Sequence, residues 1–276
     1  MHLDLVSILP LVLKMAVTAA FVVSASLIAE RSGPLIGAMV STLPIGSGPA
    51  YIFLALDHDT AFIEASTVWS LAVHAASGVF GMAYVVLAQR RSLLVSLSGA
   101  LAAWFVCALA IRWVQWTILT AILLNVVVYS ACIPLARHYL HVKMPLITRR
   151  WFDIPLRALL VTALVATVIE LSANVGPTLT GILAVFPIVI GSLMLIMHTR
   201  IGGPANAALI ANTMWGLVGF ASALVALHLT VVPLGAPLGL TIALVVSVGA
   251  NVLIWLLRRR GHARRMAALE TPGSSA

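Results

Sequence analysis

The sequence predicts an all-α, polytopic membrane protein of about nine transmembrane helices built from two inverted repeats, and three observations carry that reading. Hydrophobic residues make up 62% of the chain and charged residues 9%, with a mean hydropathy of +1.10, and the apolar residues fall into runs long enough to cross a bilayer. The basic residues gather at alternate ends of those runs, as membrane orientation requires. One pattern also occurs twice: Gly33, Pro34, Pro44 and Gly48 recur as Gly176, Pro177, Pro187 and Gly191, all at one constant offset in the numbering. Lys14 recurs as Arg157 at the same offset, and Trp69 recurs as Trp215 at an offset only slightly longer.

A spanning helix needs about 20 apolar residues at about 1.5 Å of rise per residue. That ruler gives segments at 5–29, 34–56, 62–88, 92–110, 114–136, 155–173, 177–198, 205–229 and 234–257. The first follows Met-His-Leu-Asp, which lacks a basic leader, so it reads as a retained helix. Glu30-Arg31-Ser-Gly separates it from the second, and Asp57-His58-Asp59, read as a solvated loop, precedes the third. Gln89-Arg90-Arg91 closes the third, Arg112-Trp113 the fourth, and a basic connector from Arg137 to Arg150 the fifth. The later breaks are Ser172–Gly176, His198–Pro204 and Thr230–Pro237, and the ninth segment runs into Arg258-Arg259-Arg260. A Pro inside such a segment removes a helical hydrogen bond, so 34–56 and 177–198 are expected to be kinked or unwound at Pro44 and Pro187. The organisation is a first membrane repeat over 1–138, a basic connector over 139–154, a second repeat over 155–258 and a basic, disordered tail over 259–276.

Nine spans place thirteen Lys and Arg residues on one side and Arg112 alone on the other. This puts the N-terminus in the periplasm and the C-terminus in the cytoplasm of a bacterial inner membrane. Reading 34–56 and 177–198 as re-entrant leaves seven spans and scatters the same charges over both faces. Five spans precede the second copy, and an odd number turns it upside down. The second half is one helix short, because the stretch from Trp69 to Arg137 exceeds that from Trp215 to Arg258 by the length of one span.

The formal charge of +8 resides at the ends of apolar runs and in the tail, which speaks against nucleic-acid binding and for anionic membrane lipids as partners. Cys107 and Cys132 lie inside apolar runs in no metal or redox spacing. No cluster of nucleophiles, acids or metal ligands stands out and no ATP-binding sequence is present. The expectation is therefore a protein that is not an enzyme and carries no cofactor or metal; a homo-oligomer is left open.

Charges inside a membrane segment are costly and mark function by default. Lys14 and Arg157 are the leading pair, with Glu30 and Glu170 on the same two segments. Along a helix Lys14 and Glu30 are about 24 Å apart, and Arg157 and Glu170 about 20 Å. If the two helices are antiparallel, Lys14 lies at the depth of Glu170 and Arg157 at that of Glu30. They then form ion pairs between the repeats, or Lys14 and Arg157 neutralise a substrate while Glu30 or Glu170 binds a coupling proton. Gly33, Pro34, Pro44, Gly48, Gly176, Pro177, Pro187 and Gly191 are either packing residues or the lining of a substrate cavity, where unwound backbone offers free amides and carbonyls. Asn206 and Asn212 are candidate substrate ligands or interhelical hydrogen-bond partners, and His74 reads as a packed helix residue.

The residues Arg157, Gly181, Phe186-Pro187 and Met214-Trp215, with Lys14, Pro44-Ile45 and Trp69 in the first copy, resemble the small GlpM-like bacterial membrane proteins. The resemblance covers most of each half and implies a fused pair of such units, with Leu43 standing where the second copy has Phe186. The function expected is a secondary transporter or exporter of a small anionic or zwitterionic solute working by alternating access. A lipid flippase or scramblase, or a noncatalytic membrane assembly subunit, is the alternative.

Overall fold

The computed structural model describes residues 5–31, 44–140, 142 and 150–270, with side chains over 9–28, 44–140, 142 and 150–260. Among the described residues the fold is entirely helical. The elements are α1 (Leu5–Arg31), α2 (Ser47–Asp57), α3 (Thr60–Leu87), α4 (Leu93–Arg112), α5 (Ile118–Ala136), a 3₁₀ turn (Arg137–Tyr139), α6 (Asp153–Ala184), α7 (Ile188–Ile201), α8 (Gly203–Leu234) and α9 (Ala236–Glu270). Seven of these helices are long and apolar enough to cross a membrane, all but α2 and α7. Their outward faces carry Leu, Val and Phe, as lipid contact demands. The chain is a multi-pass membrane protein.

Of the two Pro-centred segments, the second departs from continuous helix within the described residues. The 177–198 segment is broken: Pro177–Ala184 is helical, Val185 to Pro187 is not, and α7 resumes at Ile188. In the 34–56 segment α2 begins only at Ser47 and has 11 residues. Its earlier part, with Gly33 and Pro34, lies outside the described residues.

Glycine makes the tight reversals between helices possible. Gly176, Gly202 and Gly235 have φ of 70°, 81° and 81° with ψ near extended, a region open to glycine alone. Each is followed within two residues by Pro177, Pro204 or Pro237. Proline suits the first turn of a helix because its missing N–H would have no helical partner there.

Helix α3 forms the centre, packed by α4, α5, α6 and α8. Small residues allow this: Gly78 faces Tyr129 and Val128 of α5, and Gly81 faces Met214 of α8. Against α8, Glu64 meets His228, His74 meets Leu217, and Tyr84 meets Asn206, so the two helices run antiparallel. Helix α1 packs on α6, and α9 covers α8.

Candidate functional site

The candidate site is built where the two interrupted segments come together. Pro44 and Pro187 each open a half-helix in the same way: Gly48 N–H donates to the Pro44 carbonyl at 2.6 Å, and Gly191 N–H to the Pro187 carbonyl at 2.8 Å. The ends touch. Ser47 Oγ donates to the Ala184 carbonyl at 2.7 Å, and a methyl built on Gly46 would lie 3.1 Å from Val189.

A helix end leaves carbonyls without helical partners, and inside a membrane these must be satisfied by the protein. Here hydroxyls do it. Ser70 of α3 donates to the Gly181 carbonyl at 2.7 Å and is itself bonded to the buried Tyr51 hydroxyl at 2.7 Å. Pro177–Ala184 lies hard against α3 at this point, since a Cβ at Gly181 would overlap the Ser66 carbonyl and approach Trp69 Cβ to 2.9 Å.

The first break borders a cavity of about 130 Å³. Pro44, Ser47 and Tyr51 form one wall, and Phe220 and Ala223 of α8 with Ala243 of α9 form others. The lining is almost wholly apolar, and Phe21 and Leu244 at its rim are exposed on the lipid-facing surface.

Charged groups occupy the far ends of the half-helices. Lys14 Nζ pairs with both carboxylate oxygens of Asp57, at 2.6 and 2.8 Å. Arg200 makes a two-pronged pair with Asp153 and lies over the Phe152 ring. Asp57 and Arg200 occupy corresponding positions of the two copies, and Asp153 lies one helical turn before Arg157, the counterpart of Lys14. Each pair therefore ties the first helix of a copy to the end of its half-helix, with the charges exchanged. Lys14 takes Asp57 as its partner, because α2 brings its last residue back beside α1, and Glu170 is exposed. Arg157 is half-buried on α6, and the side chain of Glu30 lies outside the described residues.

Asp57 and Asp59 of the Asp57-His58-Asp59 stretch are exposed, as a solvated loop requires, yet all three side chains are engaged. Asp57 holds Lys14, His58 Nε2 lies 2.8 Å from Ser172 Oγ with its ring stacked on Phe62, and Asp59 caps α3 by accepting from the Phe62 N–H. Asn206 is fully buried and donates to the Tyr84 hydroxyl and the Met194 carbonyl, joining α8 to α3 and α7; Tyr84 in turn lies 2.7 Å from His198 Nδ1. Asn212 accepts from Arg258 of α9. Both asparagines thus serve as interhelical partners. His74 is packed as expected, bonded to the Leu217 carbonyl and edge-on to Phe220.

The structure thus brings Pro44, Gly48, Pro187 and Gly191 to one place and leaves Lys14, Arg157, Asn206 and Asn212 in others. Ser47, Tyr51, Ser70, Asp153 and Arg200 make contacts here that the sequence reading passed over. Asp57 and Arg200 had a signal, since they share the register of the repeat. No family model, curated protein or solved structure matches the chain.

Proposed function

We propose that the chain is a secondary transporter or exporter of the bacterial inner membrane, with nine crossings in two inverted repeats, which moves a small anionic or zwitterionic solute by alternating access. The observation that carries this reading is the meeting of the two helix breaks through Ser47 and Ala184. Paired broken helices at matching positions of two repeats are the usual setting of a transporter's binding site. The resemblance to GlpM-like proteins is part of this proposal and rests on the residues quoted above.

Four features support the inverted arrangement. Asp57 lies beside Lys14, which is about 25 Å of helix away from Arg31, so the end of α2 stands far from the end of α1. Arg200 meets Asp153 at the start of α6, so 177–201 comes back to that start. Burial follows the repeat as well: Thr18, Val22, Ala25 and Ser26 are buried in α1, and their counterparts at the repeat offset, Val161, Val165, Val168 and Ile169, are buried in α6. The α3–α8 pair is self-consistent with a twofold relation. In the register that matches Trp69 to Trp215, His228 and Glu64 correspond to Met82 and Ile210, next to the close approach of Gly81 to Ile210.

In this mechanism the two ion pairs are gates. Lys14–Asp57 closes the periplasmic end and Asp153–Arg200 the cytoplasmic end, and both are closed here. Opening one while the other holds exposes the breaks to one side. An anionic solute competes with Asp57 for Lys14, which links binding to gate opening. The apolar lining of the cavity favours a second reading, a lipid flippase or scramblase whose substrate brings an acyl chain.

The test places Ala223→Cys in the cavity wall of a variant lacking Cys107 and Cys132. A short thiol crosslinker then locks either Lys14→Cys to Asp57→Cys or Asp153→Cys to Arg200→Cys. With the periplasmic pair locked, an impermeant maleimide should reach position 223 only from the cytoplasm, and the other lock should reverse this. Equal labelling from both sides under either lock rejects alternating access. Fluorescent-lipid scrambling in proteoliposomes separates the second reading.

A further inference from the structure

Two spans that pack on α8 finish in arginine. Span Ile118–Tyr139 carries Arg137 in its last turn, and span Ala236–Arg260 ends in Arg258, Arg259 and Arg260. Tyr129 of α5 bonds His74, which bonds the Leu217 carbonyl of α8, so Arg137, about two turns beyond Tyr129, stands at the depth of the α8 turn that carries Asn212, and the 3₁₀ turn it opens packs on α8. Arg258 does not stretch away into solvent. Its Nη2 donates to Asn212 Oδ1 at 3.1 Å, and its guanidinium lies 5.4 Å from the centroid of the Trp215 ring, so it is held back against α8. Both arginines are exposed, and among the described residues neither pairs with a carboxylate.

Two guanidinium groups at one depth of α8, with no carboxylate partner among the described residues, make a cationic site, and an anion supplied from outside neutralises it. The position restricts which anion. Both arginines stand where a hydrophobic span leaves the hydrocarbon, the depth of lipid headgroups, and Trp215 is a residue type that favours that layer. A planar guanidinium offers paired donors to phosphate oxygens, which a lysine cannot match. The stacking on Trp215 and the bond to Asn212 fix Arg258 in advance, so little side-chain freedom is lost on binding.

We propose that Arg137 and Arg258, with Asn212 and Trp215 behind Arg258, form a discrete site for the phosphate of an anionic phospholipid headgroup. It differs from the diffuse attraction of the basic tail because it needs these two side chains in register. It does not rest on the transport reading.

The test is thermal unfolding of the purified full chain in micelles titrated with phosphatidylglycerol or phosphatidylcholine. Phosphatidylglycerol should stabilise and phosphatidylcholine should not. In R137Q/R258Q the phosphatidylglycerol concentration for half-maximal stabilisation should rise on the order of tenfold to thirtyfold. R264Q/R265Q removes the same charge from the tail and should leave it unchanged. R258K keeps the charge but not the planar fork, and should fall between, which guards against a double variant that fails to fold. Equal losses in the site and tail variants, or equal stabilisation by phosphatidylcholine, overturn the proposal. So does replacement of the lipid effect by millimolar inorganic phosphate, which would mark a soluble-anion site.

Discussion

The two helix breaks begin alike and end in different surroundings. In each a proline carbonyl accepts from the glycine four residues on, Gly48 to Pro44 and Gly191 to Pro187. The second break is plugged: Phe186 lies edge-on to Trp104 with centroids 5.0 Å apart and tilted to Phe105 at 6.0 Å, and the carbonyls of Gly181 and Ala184 are taken by serine hydroxyls. The first break borders the cavity, where α9 brings Leu240 and Ala243 instead of aromatic rings. Proline chemistry fixes the break, while the side chains of the neighbouring helices decide whether a space remains beside it.

The strongest way to break this comparison is to make the second site resemble the first. Trp104→Ala removes a ring that is 1% exposed and should cost about 3–5 kcal/mol in denaturant unfolding in micelles. A loss under about 1 kcal/mol would mean that Trp104 does not fill the break. The ion pairs provide the next contrast. The side chains of Arg200 and Asp153 are 8% and 13% exposed, and those of Lys14 and Asp57 are 19% and 35% exposed. Asp153→Asn strands a buried guanidinium and should cost about 3–5 kcal/mol. Asp57→Asn should cost about 1 kcal/mol or less, because Lys14 can reach water or headgroups. Equal losses at the two ends would remove the distinction between a buried and a loose ion pair.

How much of this was legible follows from what a sequence pattern records. The Gly-Pro and Pro-Gly spacing marks where a helix can be kinked or broken, and the helices that follow Pro44 and Pro187 begin at Ser47 and Ile188. Among the described residues seven of the expected segments lie in membrane-length helices, and 177–198 does not. Charge partners were not found, because depth along an isolated helix does not say which third element lies alongside. Lys14 is held by Asp57 only since α2 ends next to α1, and Asp57 in a loop-like Asp-His-Asp stretch carried the ordinary signature of a solvated turn. The exchange of charge between the copies hid the second pair too: Asp57 corresponds to Arg200, and a search for matching charges passes over it. The hydroxyl caps were illegible for a different reason. Serine is common in membrane helices, and Ser47 and Ser70 become informative only once the carbonyls they reach are known to be free of helical partners.

Ser47 gives the smallest effect and the finest test of the comparison, because it belongs to the first break and satisfies the second. Ser47→Ala leaves the Ala184 carbonyl without that donor while enlarging the cavity wall by one hydroxyl. Polar contacts between membrane helices average about 0.6 kcal/mol and reach about 1.7 kcal/mol. The expected loss lies in that range, read by unfolding in micelles, with Ser47→Thr restoring most of it by keeping the hydroxyl. If the two breaks act as one unit, the cost of Ser47→Ala in a Trp104→Ala background should differ from its cost in the native chain by at least about 0.5 kcal/mol, the threshold at which coupled sites depart from additivity. Additive losses would mean that the breaks touch without sharing energy, and that the cavity at the first is independent of the aromatic plug at the second.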